Sequence, residues 1–301
     1  MKRNICKSFL VKFATLFMIA LLSTASTAIA EPLKKIKERG FIEIAVYERF
    51  LPYSYEENGQ PKGVDVEIGK ALAEKLGLKP KFRLFQLDES ADDDLRNHVW
   101  KGHPINGAPA DIMLHVPTHP AFAKENEQAK ILSPYFREIV VVARYPRLKH
   151  IVSVAHLGNE RIGAEKLTLA SDYLASALSG LLRNNMALYP SVSEAIEDMK
   201  TGKVTAVMGQ RGEIEGFLGA NKDKFVVGPL AMPGLPYDGW DLGVAVKATH
   251  TELAAAVDQA MAELQAEGTI KRIFEAYGLT YTEPKTKLVQ QQYEDQPQRD
   301  I

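Results

Sequence analysis

Residues 33–82, LKKIKERGFIEIAVYERFLPYSYEENGQPKGVDVEIGKALAEKLGLKPKF, decide the fold. Ile42–Val46 is a short β-branched run that reads as a strand, and Asp65–Leu76 has helical periodicity and stops at Gly77. Lys81–Gln86 reads as the next strand. A strand, a helix and a second strand in that order form one turn of an α/β protein with a parallel sheet.

The same alternation continues along the chain. Asp92–Trp100 reads as a helix and Ala110–Leu114 as a strand, and Ile139–Ala143 leads across to a second unit. There Arg161–Ala164 and Val204–Met208 read as strands, and Ser171–Asn184 and Ser193–Thr201 as helices. Leu242–Val246 is a further strand, followed by closing helices over Thr251–Glu267 and Thr269–Tyr277. Residues 31–140 together with 241–280 are expected to form lobe 1, and residues 141–240 lobe 2. Two crossings between the lobes imply a cleft, where ligands of such folds sit. From 281 to 301 the chain is rich in Gln, Glu, Lys and Pro, and it reads as a flexible tail.

Residues 1–30 read as a signal peptide, with Lys2, Arg3, Lys7 and Lys12 before an apolar run, Phe13–Leu22, and a small-residue site at Ala28-Ile29-Ala30. The run is shorter than the about 20 apolar residues of a membrane span, so export to the periplasm without a membrane anchor is expected. Cys6, the one cysteine, lies in that segment, which leaves the mature chain without a disulfide, thiol nucleophile or thiolate ligand. Removing four of the 37 Lys and Arg and none of the 38 Asp and Glu leaves 33 against 38, a net charge of about −5. That balance argues against nucleic acid or anionic lipid as partner. A monomer with no cofactor and no metal is expected.

The opening stretch, together with DLGVAVKATHTELAAAVDQAMAELQAEGTIKRIFEAYGL at 241–279, resembles the periplasmic solute-binding proteins of the polar amino-acid uptake type. The resemblance covers about residues 33–279 and implies an α/β, two-lobed periplasmic binding protein type II fold with a cleft between the lobes. In that family an Arg after the strand matching Asp111–Leu114 holds the ligand carboxylate, and an Asp after the strand matching Val204–Met208 holds the ammonium. Here the first segment reads HVPTHPAFAKENE, without Arg, and the second VMGQRGE, with Gln210 where the Asp is expected. Loss of a charge-assisted hydrogen bond removes roughly 1.5–3 kcal/mol, which argues against an amino-acid receptor. DESADDDLRNHVWKGH and GAPADIMLHVP, within residues 88–117, are similar to a narrower branch, the MxaJ and XoxJ proteins that accompany pyrroloquinoline-quinone (PQQ) methanol dehydrogenases. That resemblance implies a periplasmic accessory protein with the dehydrogenase as its partner. Two alternatives are the substrate-binding receptor of an ABC importer for a polar non-amino-acid solute and a dehydratase-like cleft enzyme with Glu48 and Glu165 as its acids.

The resemblance also points to site residues. Tyr47 and Tyr53 flank the first cleft loop, His115 and Thr118 follow the second strand end, and Lys166, Thr168 and Gln210 face them from lobe 2. Packing under the loop or capping of the next helix explains several of these equally well. Asp92, Asp93, Asp94, Arg96 and Trp100 are the partner-surface candidates, because acids with an aromatic anchor suit a steered interface. The competing explanation is a helix start that favours acids, with Arg96 paired at helical spacing and Trp100 in the core. The acids lack calcium-loop spacing, and the pairs His98/His103 and His115/His119 are not presented on one helical face. No G-x-S-x-G, S-x-x-K, H-E-x-x-H, G-x-x-x-x-G-K-[ST] or G-x-G-x-x-G motif occurs, so no catalytic residue is assigned.

Overall fold

The computed structural model describes residues 32–104 and 107–285. The signal segment and most of the tail lie outside the described residues. The chain runs α1 (Pro32–Arg39), β1 (Phe41–Tyr47), the hairpin β2 (Tyr55–Glu57) and β3 (Gln60–Lys62), α2 (Val64–Lys75), and β4 (Lys79–Phe85). It continues through α3 (Ala91–Leu95), which passes into a π turn at Arg96–Trp100, then β5 (Ile112–Pro117), α4 (Pro120–Glu125) and the long β6 (Ala129–Arg144). The second half holds β7 (Ile162–Glu165), α5 (Leu169–Gly180), β8 (Met186–Tyr189), α6 (Val192–Lys200), β9 (Ala206–Gln210), α7 (Arg211–Leu218) and β10 (Val226–Gly228). It closes with β11 (Gly239–Lys247), α8 (Thr251–Ala266) and α9 (Thr269–Ala276).

The strands order as β4-β1-β5-β11-β6-β9-β7-β8, with β10 on β6. β1 is parallel to β4 and β5, and β7 is parallel to β8 and β9, as βαβ connections require. β6 joins the two halves: its first part, Ala129–Ile139, pairs antiparallel with β11, and Val140–Arg144 pairs with β9. One core, around Ile42, Ile44, Ile68, Leu72, Phe136 and Phe274, fills the half with the chain ends, while Val142, Leu174 and Met208 belong to a second. Trp240 packs against both.

Three sequence expectations are corrected. The helix expected over Ser171–Asn184 breaks at Ala177–Ser179, where Leu178 and Ser179 have positive φ, and the chain resumes as a single short turn at Arg183–Asn185. The β-branched run at Ile139–Ala143 is only the end of a strand of 16 residues. The start of the expected tail is anchored, because Tyr281 packs on Phe136 and Phe274 and its hydroxyl donates to Tyr135 O at 3.0 Å. Thr282 O accepts from Arg137 N at 2.9 Å.

Candidate functional site

The loop after β1 folds back onto the second half of the molecule. Tyr53, fully buried, donates its hydroxyl to Glu138 of β6, and Glu138 Oε1 also accepts from Gly212 N at 3.3 Å at the start of α7. A Cβ at Gly212 would collide with the Tyr53 ring, and one at Gly216 would meet Pro52 at 3.0 Å. Two glycines one helical turn apart therefore let α7 approach the loop this closely. Burial and the Glu138 charge raise the Tyr53 pKa well above its usual value, which keeps the phenol a donor. Burial likewise raises Glu138, against the Tyr53, Ile139 and Gly212 hydrogen bonds.

Behind Tyr53 lies His115, its ring centroid 4.3 Å away. His115 Nδ1 is 2.9 Å from Asp65 Oδ2, and the Tyr135 hydroxyl donates to Asp65 Oδ1 at 2.8 Å while accepting from His115 N at 3.0 Å. This satisfied network, walled by Phe50 at 5.0 Å from the His115 ring, lies in the first half and packs against Tyr53. Tyr47 is not a cleft residue. It is buried, and its hydroxyl donates to Asp94 Oδ2 at 2.8 Å. Tyr53 and His115 do come together as expected, but as packed interior groups and not as exposed ligand contacts.

Of the other expected cleft residues, Thr118 donates its N–H to Asp241 O at 2.9 Å, and Thr168 caps α5 by accepting from Ser171 N at 3.3 Å. Lys166 is exposed. Gln210 lines a small chamber of about 50 Å³ with Glu165, Glu213, Leu169, Met208 and Trp240. Burial, followed by the charges of Glu165 and Glu138, pushes Glu213 up to about 8. Burial also raises Glu165, which a hydrogen bond from the Val192 backbone partly offsets. A second, wider groove of about 800 Å³ is predominantly apolar and bears Pro117, Phe122, Leu169, Pro236, Tyr237 and Trp240. Arg137 closes its base, donating to Asp238 and Asp241 at 2.8 and 2.9 Å.

The partner-surface candidates divide. Asp94 is removed from the docking surface, because it is 1% exposed and accepts from the Tyr47 hydroxyl and from Asp88 N at 2.9 Å. Asp92 is exposed, Asp93 pairs with Arg96 at 2.6 Å, and Trp100 packs beside Tyr47, Phe85 and Val99. Asp88, Asp94 and His98 converge closely enough to hold an ion. Both Asp94 oxygens and one Asp88 oxygen already accept hydrogen bonds, from the Tyr47 hydroxyl, Asp88 N and Asn97, and the His98 ring stacks on Phe85 at 3.7 Å. Burial lowers the His98 pKa to about 4, leaving a neutral ring.

Glu138, Glu213, Arg137 and Trp240 were not singled out from the sequence. The signal for Glu213 lay three residues beyond Gln210, in GQRGEIEG, where a missing acid at one position is answered by an acid on the following helix turn. Glu48, the other acid considered, pairs with Arg49 at 3.6 Å.

The model of the bacterial extracellular solute-binding proteins, family 3, matches residues 42–98. The L-cystine-binding protein TcyJ of Escherichia coli (strain K12) is 21% identical over 264 residues, 86% of this chain and 91% of that protein. The ABC transporter arginine-binding protein 1 of the same organism is 23% identical over 234 residues, 77% of this chain and 88% of that protein. The solved structure of an ancestral cationic amino acid solute binding protein, AncCDT-1, superposes with a TM-score of 0.65 at 19% identity, covering 81% of this chain and 98% of that one. AncCDT-1 is also described as a precursor of cyclohexadienyl dehydratase. Each of these three is named as a binding protein. No helix among the described residues is long and apolar enough to cross a membrane. The chain has the mixed α/β, two-lobed fold of the periplasmic amino-acid-binding proteins.

Proposed function

We propose that this chain works in the periplasm through contact with another protein, as an accessory protein of a PQQ-dependent methanol dehydrogenase, and does not carry free amino acids. The observation behind this reading is that Tyr53 and His115 are buried in closed hydrogen-bond networks with Glu138 and Asp65, and so are not free to contact a ligand. A free amino acid needs a carboxylate anchor, and the segment after β5 offers no Arg. The apolar groove beside it suits a partner's surface better than a zwitterion. The identity of the partner rests on the similarity of residues 88–117. In this reading lobe 1 is 31–140 plus 241–280 and lobe 2 is 141–240, with the exchange on β6 and β11.

The names of the relatives favour a second reading, the substrate-binding receptor of an ABC importer. With Gln210 and no Arg, its solute would differ from a standard amino acid. Two measurements on the mature protein separate the readings. Interferometry against purified methanol dehydrogenase is expected to show saturable binding, and calorimetry with the standard amino acids no binding tighter than about 1 μM, equivalent to roughly −8 kcal/mol. Tight amino-acid binding without dehydrogenase binding overturns the accessory role and establishes the receptor.

A further inference from the structure

We infer that Asp88, Asp94 and His98 form a binding site for one divalent transition-metal ion of the zinc type, closing the loop between β4 and α3 onto the π turn. One donor atom from each residue lies within 4.8 Å of the other two. Asp94 and His98 are four residues apart on one continuous helical stretch, which sets them on the same face, and Asp88 reaches them from the loop before α3. The histidine supplies the independent sign of a ligand. It is 7% exposed, and neither ring nitrogen makes a hydrogen bond within the described residues, with Nε2 standing 3.6 Å from Asp88 Oδ2. That distance is too long for a hydrogen bond. Two donors about 2.0–2.2 Å from one zinc ion, at the tetrahedral angle, are about 3.4 Å apart. Stacking on Phe85 occupies a face of the ring and leaves the nitrogens at its edge unspent.

The hydrogen bonds already present steer the acids and leave room for an ion. Tyr47 donates to Asp94 Oδ2 at 2.8 Å, the Asp88 N–H to Asp94 Oδ1 at 2.9 Å, and Asn97 to Asp88 Oδ2 at 2.8 Å. A carboxylate oxygen accepts two bonds, so each keeps a lone pair, and carboxylates that ligate metals are hydrogen-bonded in this way. The π turn, with Lys101 N donating to Arg96 O at 2.9 Å, is a helix irregularity of the kind that recurs at functional sites. Two carboxylates and a neutral imidazole carry two negative charges, which a divalent ion cancels in this buried setting. Calcium is a poor match, since it takes 6–8 oxygens. Three protein ligands, one of them nitrogen, with a water in the fourth position suit zinc and its neighbours. The acids and the histidines of this stretch look unsuited to a metal when each class is read by itself, because the helical pair is mixed, Asp94 with His98. An ion here would pin both ends of the segment bearing Asp92, Asp93 and Arg96, and the site stands whichever proposed function holds.

The test uses the untagged mature chain, stripped with a chelator and titrated with zinc, cobalt(II) and calcium chlorides by calorimetry and thermal shift, with the visible spectrum read for cobalt. One equivalent of zinc should bind with a saturable rise in Tm, and cobalt should show the d–d absorption of a low-symmetry site. His98→Gln should weaken zinc binding at least tenfold and remove the cobalt absorption, with unchanged circular dichroism. Asp88→Asn, at a partly exposed side chain, should do the same, and it gives an independent reading if the His98 variant does not fold. His150→Gln, at an exposed histidine far along the chain, should leave both signals as in wild type. No saturable response to zinc or cobalt, wild-type binding by either folded site variant, loss of binding in His150→Gln, or stabilisation by calcium alone overturns the proposal.

Discussion

The Tyr53 hydroxyl and the Glu138 carboxylate meet in the interior, and Glu138 also accepts from Gly212 N, so one buried acid ties the first-half loop to α7. Gly212→Ala should push a methyl into the Tyr53 ring and cost about 1–3 kcal/mol in chemical denaturation. Tyr53→Phe should cost about 1–3 kcal/mol by leaving Glu138 with one donor fewer. The double variant should be more stable than the sum of the two costs, because the hydroxyl is the atom nearest the added methyl and its removal relieves the worst of the clash. Strict additivity within about 0.5 kcal/mol would show that the two residues do not touch.

Glu213 predicts a pH dependence of opposite sign to that of an ordinary paired carboxylate. Its folded value, about 8, lies above the about 4.3 expected when unfolded, so the folded state holds a proton that the unfolded state loses. This contribution is fully present below about pH 4.3, declines as pH rises towards 8, and is gone above it. Glu213→Gln, neutral throughout, should raise Tm over wild type at pH 8 and match it near pH 4. Parallel Tm curves for the two proteins would contradict the assignment.

Asp94 and Asp93 are neighbours with different expected costs. Asp94→Ala strands the Tyr47 hydroxyl and the Asp88 N–H in the interior and should cost about 2–4 kcal/mol. Asp93→Ala loses a part-exposed pair with Arg96 and should stay within about 1 kcal/mol. Urea denaturation distinguishes the two, and comparable costs would mean that Asp94 also works at the surface.

The sequence disclosed what repeats locally. The strands around Ile44 and Val207 and the closing helices show themselves by periodicity, and Gly77 marks a helix end. Leu178 and Ser179 gave no sign of the break in α5, since neither is Gly or Pro and the apolar period continues through them. Tyr53 and His115 were readable as neighbours of the cleft, but their exposure depends on Glu138 and Asp65, 85 and 50 residues away. Asp94 looks like its neighbours Asp92 and Asp93, and only the position of Tyr47, 47 residues earlier, sets it apart.

Leu167 separates a binding role from a folding role most sharply. It is 93% exposed and holds φ at +62°, a conformation that costs a non-glycine residue about 1–2 kcal/mol and returns no burial here. It stands two residues before Leu169, which lines the apolar groove. An exposed, strained Leu at the edge of an apolar groove does nothing for the fold, and it suits a side chain held out for a partner. Leu167→Gly should relieve the strain and leave stability unchanged or higher by up to about 1 kcal/mol, after the glycine's greater unfolded-state freedom is set against it. Burying a Leu against a partner contributes about 1.5–3 kcal/mol, so the same variant should bind the dehydrogenase at least tenfold more weakly. Leu167→Met, close in volume, should restore most of that binding and thus separate the side chain's contact from any change in the loop. Unchanged dehydrogenase binding by a folded Leu167→Gly protein would place the partner surface away from the groove, leaving Asp92 of α3 and Arg96 of the following π turn as the remaining candidates.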